Sequence, residues 1–300
     1  MVALFMTATA IANASGNSIS GALLSMKLGG LANWQWMFVL EGLPAVLLAF
    51  VVLAYLPDGP KKASWLTPAE KIWTAARIEE EGRNKHERGH SSLLAGFTTP
   101  GVLPLCLLYF TIAMTTYGIG SWMPDLLSRT MVKSTPKWEI GLLTAIPYLF
   151  SAVAMVLNGR HSDRTGERRV HVAVPMFITA VGLALSAYQH SAFGVVATMT
   201  IACIGIFSPL GPFWALPTAL LGGAAAAAGI AFINSVGNLG GFVGPYSIGK
   251  IPDFFPKGSP LGMQYSLLML AGVAVVGGLT ALFARREHPV APLEDAPAPL

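Results

Sequence analysis

A short basic segment between two apolar stretches has the sequence Gly159-Arg160-His161-Ser162-Asp163-Arg164-Thr165-Gly166-Glu167-Arg168-Arg169. The flanking stretches, Ile140–Leu157 and His171–Tyr188, contain no Lys, Arg, Asp or Glu. Each is close to the ~20 apolar residues that a helix needs to cross a bilayer. The two glycines permit a tight turn, Asp163 can accept hydrogen bonds from a basic neighbour, and the arginines can face helix carbonyl ends. The pattern predicts a turn between two membrane-spanning helices, because an ordinary basic loop would explain the arginines but not the glycine spacing or Asp163.

The composition of the whole chain agrees with this interpretation. Hydrophobic residues make up 53% of the 300 residues and charged residues 11%, against roughly 25% charged residues in soluble proteins. A soluble, disordered, collagen-like, coiled-coil or disulfide-rich secreted protein is therefore excluded. Cys106 and Cys203 lie in apolar segments, which argues against a disulfide or metal framework. The net charge of +4 is interpreted as loop charge that orients helices, not as a nucleic-acid surface.

The hydropathy pattern predicts an all-α, polytopic membrane protein with about eight transmembrane helices. The candidate spans are Val2–Leu24, Trp36–Leu56, Val102–Trp122, Ile140–Leu157, His171–Tyr188, Phe193–Trp214, Ala225–Ile248 and Met263–Ala284. Alternation of these spans places most lysines and arginines on one side, around Pro57–Thr98, Gly159–Arg169 and Arg285–Arg286. By the positive-inside rule that side is cytoplasmic. The sequence therefore predicts a multi-pass protein of the inner (plasma) membrane with both termini in the cytoplasm.

The first span is expected to be a packed helix and not a signal peptide, since no basic residue precedes Lys27. Small residues recur every fourth position at Ala8, Ala12, Gly16 and Ser20. Such a stripe lets two membrane helices approach closely.

Pro57–Thr98 is the long polar stretch of the chain. Thr67-Pro68-Ala69-Glu70 predicts a capping box with proline at the first helical position, followed by an amphipathic helix to about Gly82 and then a linker. This stretch divides the chain into residues 1–56 with two spans, the loop 57–98, and residues 99–300 with six spans and a short cytoplasmic tail.

A zinc-hydrolase motif is a competing hypothesis. His86-Glu87-Arg88-Gly89-His90 fits H-E-x-x-H. Gly89 weakens the helix that this motif requires, and no third ligand is evident. We therefore expect a solvated linker, no bound metal, no cofactor and no enzyme activity.

Several motifs together resemble one transporter family. Gly159, Asp163, Arg164, Gly166, Arg168 and Arg169 match G-x-x-x-D-R-x-G-x-R-R, the loop signature of the major facilitator superfamily. Trp34–Ala45, Phe232–Pro245 and the step Trp122-Met123-Pro124 resemble its anion:cation symporter branch, which holds organic-anion transporters such as tartrate and sugar-acid permeases. The resemblance implies a helical bundle in which Gly159–Arg169 gates the cytoplasmic side.

The chain departs from that family in length. The superfamily normally has twelve helices around a central cytoplasmic loop, and here two spans precede the loop-like Pro57–Thr98. The spans therefore resemble helices five to twelve, so that the chain is expected to be N-terminally truncated. Met1 is either an internal methionine of a longer reading frame or the start of a truncated gene. A non-transporting remnant or membrane scaffold is accordingly the alternative to a transporter.

The seventh predicted span carries the candidate substrate residues. At 100° per residue, Asn234, Asn238, Gly241 and Pro245 fall within about 60° of one another. Gly237, Gly240 and Gly244 form an adjoining stripe that is expected to face a neighbouring helix. The two amides either line a polar pathway or merely form hydrogen bonds between helices.

Further candidates lie on other spans. Tyr109, Tyr117, Ser208 and Trp214 are on spans whose counterparts in the resembling family line the central cavity. Interfacial anchoring is the alternative for Tyr117 and Trp214. Glu41 is an acidic residue within a span, near an interface, where it either has a functional role or packs helices.

The resemblance implies symport of a small organic anion, such as a sugar acid or dicarboxylate, with protons across the lipid bilayer. Relatives bind protons on carboxylates in the first and fourth helices, which this chain lacks. Any coupling residues are therefore expected outside this sequence.

Overall fold

The computed structural model describes residues 2–26, 29–88, 95–132, 134–221 and 223–284, and every regular element in these ranges is helical. The helices are α1 (Val2–Ser25), α2 (Asn33–Tyr55), α3 (Pro68–Arg88), α4 (Ala95–Thr98), α5 (Val102–Arg129), α6 (Lys137–Thr165), α7 (Val170–Ser186), α8 (Ala192–Phe207), α9 (Leu210–Leu220), α10 (Gly223–Lys250) and α11 (Leu261–Phe283). Two short 3₁₀ turns, Pro60–Lys62 and Ile251–Phe254, complete the description.

Membrane-competent helices occupy the predicted positions. Within the described ranges, six helices are long and apolar enough to cross a membrane, with α8 and α9 taken together as Ala192–Leu220. The apolar α7 is shorter, and α1 is helical over its predicted span without belonging to those six. The all-α membrane fold is confirmed, with a helix count close to the predicted eight.

The sixth predicted span is broken where its sequence contains prolines. Helix α8 ends at Phe207, and α9 begins at Leu210 after Ser208 and Pro209. Pro212, the fourth residue after Ser208, has no N–H group to donate to the Ser208 carbonyl. The break therefore follows directly from the sequence.

The polar stretch between the second and third spans contains the predicted capping box. The Glu70 carboxylate accepts hydrogen bonds from the Thr67 backbone N–H and hydroxyl, both at 2.8 Å, and the Glu70 N–H donates to the Thr67 hydroxyl at 3.3 Å. The prediction that the helix ends near Gly82 is wrong, since α3 continues to Arg88. Four of the six residues from Arg83 to Arg88 are good helix formers, and a single glycine is tolerated inside a helix at a modest cost.

Small residues let two pairs of helices pack closely. Helix α10 packs along α5, and α1 packs along α6. A Cβ added to Gly141 of α6 would lie 2.6 Å from the Asn17 carbonyl oxygen, and one added to Gly21 of α1 would lie 2.8 Å from that of Lys137. The missing side chains therefore permit direct backbone approach.

The contacting face of α1 differs from the predicted stripe. Ala10 and Ala14 are buried, whereas Ala8 and Ala12 are exposed and a Cβ at Gly16 would meet nothing within 4 Å. Several faces of this helix carry small residues, so the sequence periodicity alone does not select the one that packs. Helix α2 has no buried residue and lies beside α1.

Candidate functional site

An aromatic cluster joins α5 to α9 just after the break in the sixth span. The Tyr109 ring stacks on Phe213, with centroids 5.1 Å apart and planes inclined by 12°, and it meets Trp214 edge-on at 4.9 Å. Phe213 is fully buried, while Tyr109 and Trp214 are partly exposed. The break after α8 thus sets two adjacent aromatic residues against one tyrosine.

Glycines on α10 make room for the tyrosines of α5. A Cβ at Gly237 would overlap the Tyr109 ring, and one at Gly241 would lie 2.9 Å from Cδ2 of Tyr117. The α5 backbone itself occupies the space beside Gly240 and Gly244. The expectation that the glycine stripe faces a neighbouring helix is confirmed, and that neighbour is α5.

The two candidate amides lie next to the aromatic cluster. Asn238 donates from Nδ2 to the Asn234 carbonyl oxygen at 2.9 Å and also to Asn234 Oδ1. The Asn238 side chain lies beside the Tyr109 hydroxyl. Both amides are exposed, and their mutual bond leaves the Asn234 Nδ2 donors and the Asn238 Oδ1 acceptor for other partners. The structure therefore brings Asn234, Asn238, Tyr109 and Trp214 together.

The remaining pathway candidates differ in their relation to that cluster: Tyr117 is near enough to interact electrostatically with Tyr109, whereas Ser208 forms its side-chain hydrogen bond elsewhere. Tyr117 packs on Gly241, one helical turn along α10 from Gly237, and its side chain is exposed. Ser208 is buried, and its hydroxyl donates to the Ile204 carbonyl of its own helix at 2.6 Å. Ser208 does not contribute its side chain to the aromatic and amide cluster.

Glu41 contacts a neighbouring helix. The Ser20 hydroxyl of α1 donates to Glu41 Oε1 of α2 at 2.5 Å. This contact agrees with the packing role that the sequence left open beside a functional one.

Most of the basic motif is helical. Helix α6 extends to Thr165, so the connection to α7 consists of Gly166, Glu167, Arg168 and Arg169. The expectation that all of Gly159–Arg169 forms a loop is therefore wrong. Gly166 ends the helix with φ +67°, a left-handed conformation that glycine adopts without a steric penalty.

Polar contacts fix this connection as the residue types predict. Arg168 Nη1 donates to Asp163 Oδ1 at 2.6 Å and to the Ser162 hydroxyl at 3.0 Å. The Glu167 carboxylate accepts from the Val170 N–H at 3.0 Å and so caps the first turn of α7. The Arg168 contacts therefore attach the connection to the end of α6, and the Glu167 contact attaches it to the start of α7.

Arg169 extends the network to the last described helix. Its Nη1 donates to the carbonyl oxygens of Ala284 at 2.9 Å and Leu282 at 3.3 Å. A cation at these carbonyls is favoured by the negative end of the α11 dipole. The end of α11 therefore lies at the same end of the bundle as the α6–α7 connection.

Metal binding has no support in the described ranges, where no group of three or more His, Cys, Asp or Glu side chains could hold an ion. The competing zinc motif ends in Gly89 and His90, which lie outside the described residues.

Sequence reasoning missed the roles of four residues at or near the site. Phe213 stacks on Tyr109, and His161 Nδ1 lies 2.5 Å from His171 Nε2. Asn158 donates from Nδ2 to the carbonyl oxygens of His171 and Ser208. Two features of the sequence could have indicated them. Phe213 is adjacent to the candidate Trp214, and prolines four residues after His171 and Ser208 leave the carbonyls of these two residues without a helical donor.

Comparisons with known proteins agree with this architecture. Residues 1–245 match the family profile of the Major Facilitator Superfamily. A putative tartrate transporter of Agrobacterium vitis is 42% identical over 292 residues, covering 97% of this chain and 63% of that protein. The quinolone resistance transporter of Acinetobacter baumannii is 34% identical over 275 residues, covering 91% of this chain and 63% of that protein. The chain thus spans less than two thirds of the length of these relatives.

A solved structure has a similar fold. A bacterial homolog of the human lysosomal transporter Spinster, in an inward-facing and unoccupied conformation, matches with a TM-score of 0.65 at 16% identity. The match covers 92% of this chain and 68% of that one. On these grounds the chain belongs to the Major Facilitator Superfamily, whose members are multi-pass membrane transporters and not enzymes.

Proposed function

We propose that this chain is the larger part of a secondary transporter that carries a small organic anion, such as a sugar acid or dicarboxylate, together with protons. The observation that carries the proposal is the cluster of Asn234, Asn238, Tyr109 and Trp214 contributed by three helices. Amides recognise hydroxyl and carboxylate oxygens by hydrogen bonding, and aromatic faces pack against C–H surfaces. The similarity to two putative tartrate transporters supports an anion of this size.

The cluster supplies hydrogen bonds and apolar contact but no positive charge. The described lysines and arginines lie in the polar helix α3, in connections, or within about two turns of the end of another helix, for example Arg129 at the end of α5 and Lys250 at the end of α10. A substrate carboxylate therefore needs a cation from another part of the complete protein. Asn234 and Asn238 would then form hydrogen bonds with the hydroxyl groups of the substrate.

The proposed topology places both termini and the α6–α7 connection in the cytoplasm. Arg169 and the end of α11 meet at one end of the bundle, as this topology requires. Residues 1–56 would belong to the N-terminal bundle, 57–98 to the central loop, and 99–300 to the C-terminal bundle. Rocking of the two bundles would expose the site alternately, with Gly159–Arg169 as the cytoplasmic gate.

Proteoliposome uptake by the full-length form, in which the missing helices precede this chain, tests this proposal. We expect labelled tartrate or a labelled sugar acid to accumulate when a proton gradient is directed inward. Asn234→Ala and Asn238→Ala should each reduce uptake at least about tenfold, because the loss of a contact worth about 1.4 kcal/mol weakens binding about tenfold. Asn13→Ala is the matched control, because Asn13 donates only to Thr9 of its own exposed helix face. Full uptake by both site variants would refute the pathway role.

A non-transporting remnant or scaffold is the second candidate, favoured by helix α2, which has no buried residue. Its signature is stable insertion of the chain with neither substrate binding nor uptake. Measurable binding of labelled tartrate, lost in Asn238→Ala, would argue against it.

A further inference from the structure

Two carbonyl groups on different helices lack their normal helical partners for the same reason. In an α-helix, each carbonyl accepts a hydrogen bond from the N–H four residues later. Four residues after His171 stands Pro175, and four residues after Ser208 stands Pro212. Proline has no N–H, so the carbonyls of His171 and Ser208 lose these bonds.

One side chain on a third helix satisfies both carbonyls. Asn158 of α6 is partly buried and donates from Nδ2 to the His171 carbonyl oxygen at 3.0 Å and to that of Ser208 at 2.9 Å. The amide NH₂ group has two hydrogens, so it can make both bonds at once. An unsatisfied carbonyl inside a membrane protein is costly, because no bulk water replaces the missing donor.

The two hydrogen bonds of Asn158 differ in whether a second contact supports the same pair of helices. Helix α7 is tied to α6 a second time by the contact between His161 Nδ1 and His171 Nε2 at 2.5 Å. The Ser208 carbonyl stands at the break between α8 and α9, where the chain has left regular helical bonding. Loss of the Asn158 amide is therefore expected to change the geometry of the α8–α9 break more than the packing of α6 against α7.

The break controls the position of the aromatic residues that follow it. Phe213 and Trp214 lie in the first turns of α9, and both contact Tyr109 of α5. We infer that Asn158 is a positioning residue that replaces two proline-deleted hydrogen bonds and thereby fixes the α8–α9 break, and with it the Trp214–Tyr109 contact. Its consequence for substrate rests on the proposed function, whereas the geometry that it fixes does not.

Fluorine NMR of the full chain labelled with 5-fluorotryptophan tests this inference without substrate. The Trp214→Phe and Trp138→Phe variants assign the two resonances of interest. Asn158→Ala is expected to shift or split the Trp214 resonance and to lower the unfolding temperature by about 2–6 °C. Trp138 is twenty residues from Asn158 on α6, about 30 Å along the helix, so its resonance should stay in place. Asn13→Ala, which removes an amide bonded within its own helix, should leave Trp214 unchanged.

Restoring the missing N–H groups provides the decisive comparison. In a Pro175→Ala/Pro212→Ala background, backbone N–H groups can donate to both carbonyls. A further Asn158→Ala change should then shift the Trp214 resonance little, and it should lower the unfolding temperature by less than half as much as Asn158→Ala does alone. An unmoved Trp214 resonance in Asn158→Ala, or an equal shift in both backgrounds, overturns the inference. If Asn158→Ala alone does not fold, recovery of folded protein in the double-alanine background supports the inference and continued failure overturns it. Absence of substrate binding would count against the proposed function alone.

Discussion

The ring of Tyr109 on α5 occupies the space that a Cβ would fill at Gly237 on α10. This relationship joins the glycine stripe of one helix to the aromatic cluster of the others. It also means that a side chain at residue 237 would force either the Tyr109 ring or the α10 backbone to move.

We therefore expect Gly237→Ala to destabilise the chain by about 1–3 kcal/mol, because the methyl group forces the tyrosine ring or the α10 backbone to move. Reversible unfolding in mixed micelles measures this change. Gly272→Ala on α11 is the matched control, since a Cβ there meets nothing within 4 Å, and alanine should raise stability by about 0.5–1 kcal/mol. Similar effects at both positions would contradict the close packing of α10 on α5.

Arg169 offers a test of the contact between the α6–α7 connection and the end of α11. Arg169→Met removes the bonds to the Leu282 and Ala284 carbonyls and should cost about 1–3 kcal/mol, as is typical of charged hydrogen bonds. Hydrogen exchange should rise at the C-terminal turn of α11. Arg160→Met, which removes an exposed arginine of the same motif, is expected to leave that exchange unchanged. Equal protection in Arg169→Met and the wild type would show that the contact is dispensable.

The capping box of α3 should make that helix end sensitive to acid. The hydrogen bond from the Thr67 N–H, with a further one from its hydroxyl, lowers the pKa of the Glu70 carboxyl below its ordinary 4.5. A lowered pKa means that the ionised cap stabilises the helix at neutral pH and is lost as the pH falls through the folded-state pKa. Hydrogen exchange of the first turn, corrected for intrinsic rates, should therefore stay constant from pH 7 to 5, rise as the pH falls from the ordinary 4.5 to the lowered folded-state pKa, and level off below it.

Two variants separate this cap from general acid effects. Glu70→Gln should raise the first-turn exchange at neutral pH and flatten its pH dependence. Glu79→Gln changes an exposed carboxyl of the same helix and should preserve the wild-type profile. A rise in exchange already between pH 7 and 5 would argue against a lowered pKa.

Trp122 links α5 to α10 a second time, beyond the glycine stripe. Its Nε1 donates to the Pro245 carbonyl oxygen at 3.2 Å. Trp122→Phe keeps an aromatic side chain but removes the donor and part of the ring system, so it should cost at least about 0.6–2 kcal/mol of stability. Trp138→Phe, on the exposed side of α6, should change stability by less than about 0.5 kcal/mol. Unfolding of the two variants measured side by side would show no difference if the Trp122 bond contributes nothing.

Features that depend on neighbours in the chain were predictable. The apolar spans, the Thr67–Glu70 cap and the glycine face of α10 each follow from residue type and helical spacing within one or two turns. The packing face of α1 was not predictable in this way, because several of its faces carry small residues and α6 selects one of them. The length of the Gly159–Arg169 loop was overestimated, because α6 continues to Thr165 through residues mostly of low helix propensity, two of which, Gly159 and Ser162, are buried by tertiary packing.

The amino-acid sequence by itself determined that this chain is helical, apolar and built for a membrane, and its motifs identified the transporter family. It also marked Asn234 and Asn238 as sharing one helical face. The tertiary structure alone decided that this face meets Tyr109 and Trp214, and that Asn158 serves carbonyls from two other helices. The physical reason is range: hydropathy and helical period act over a few residues, whereas the partners of a side chain depend on which distant helices pack against it.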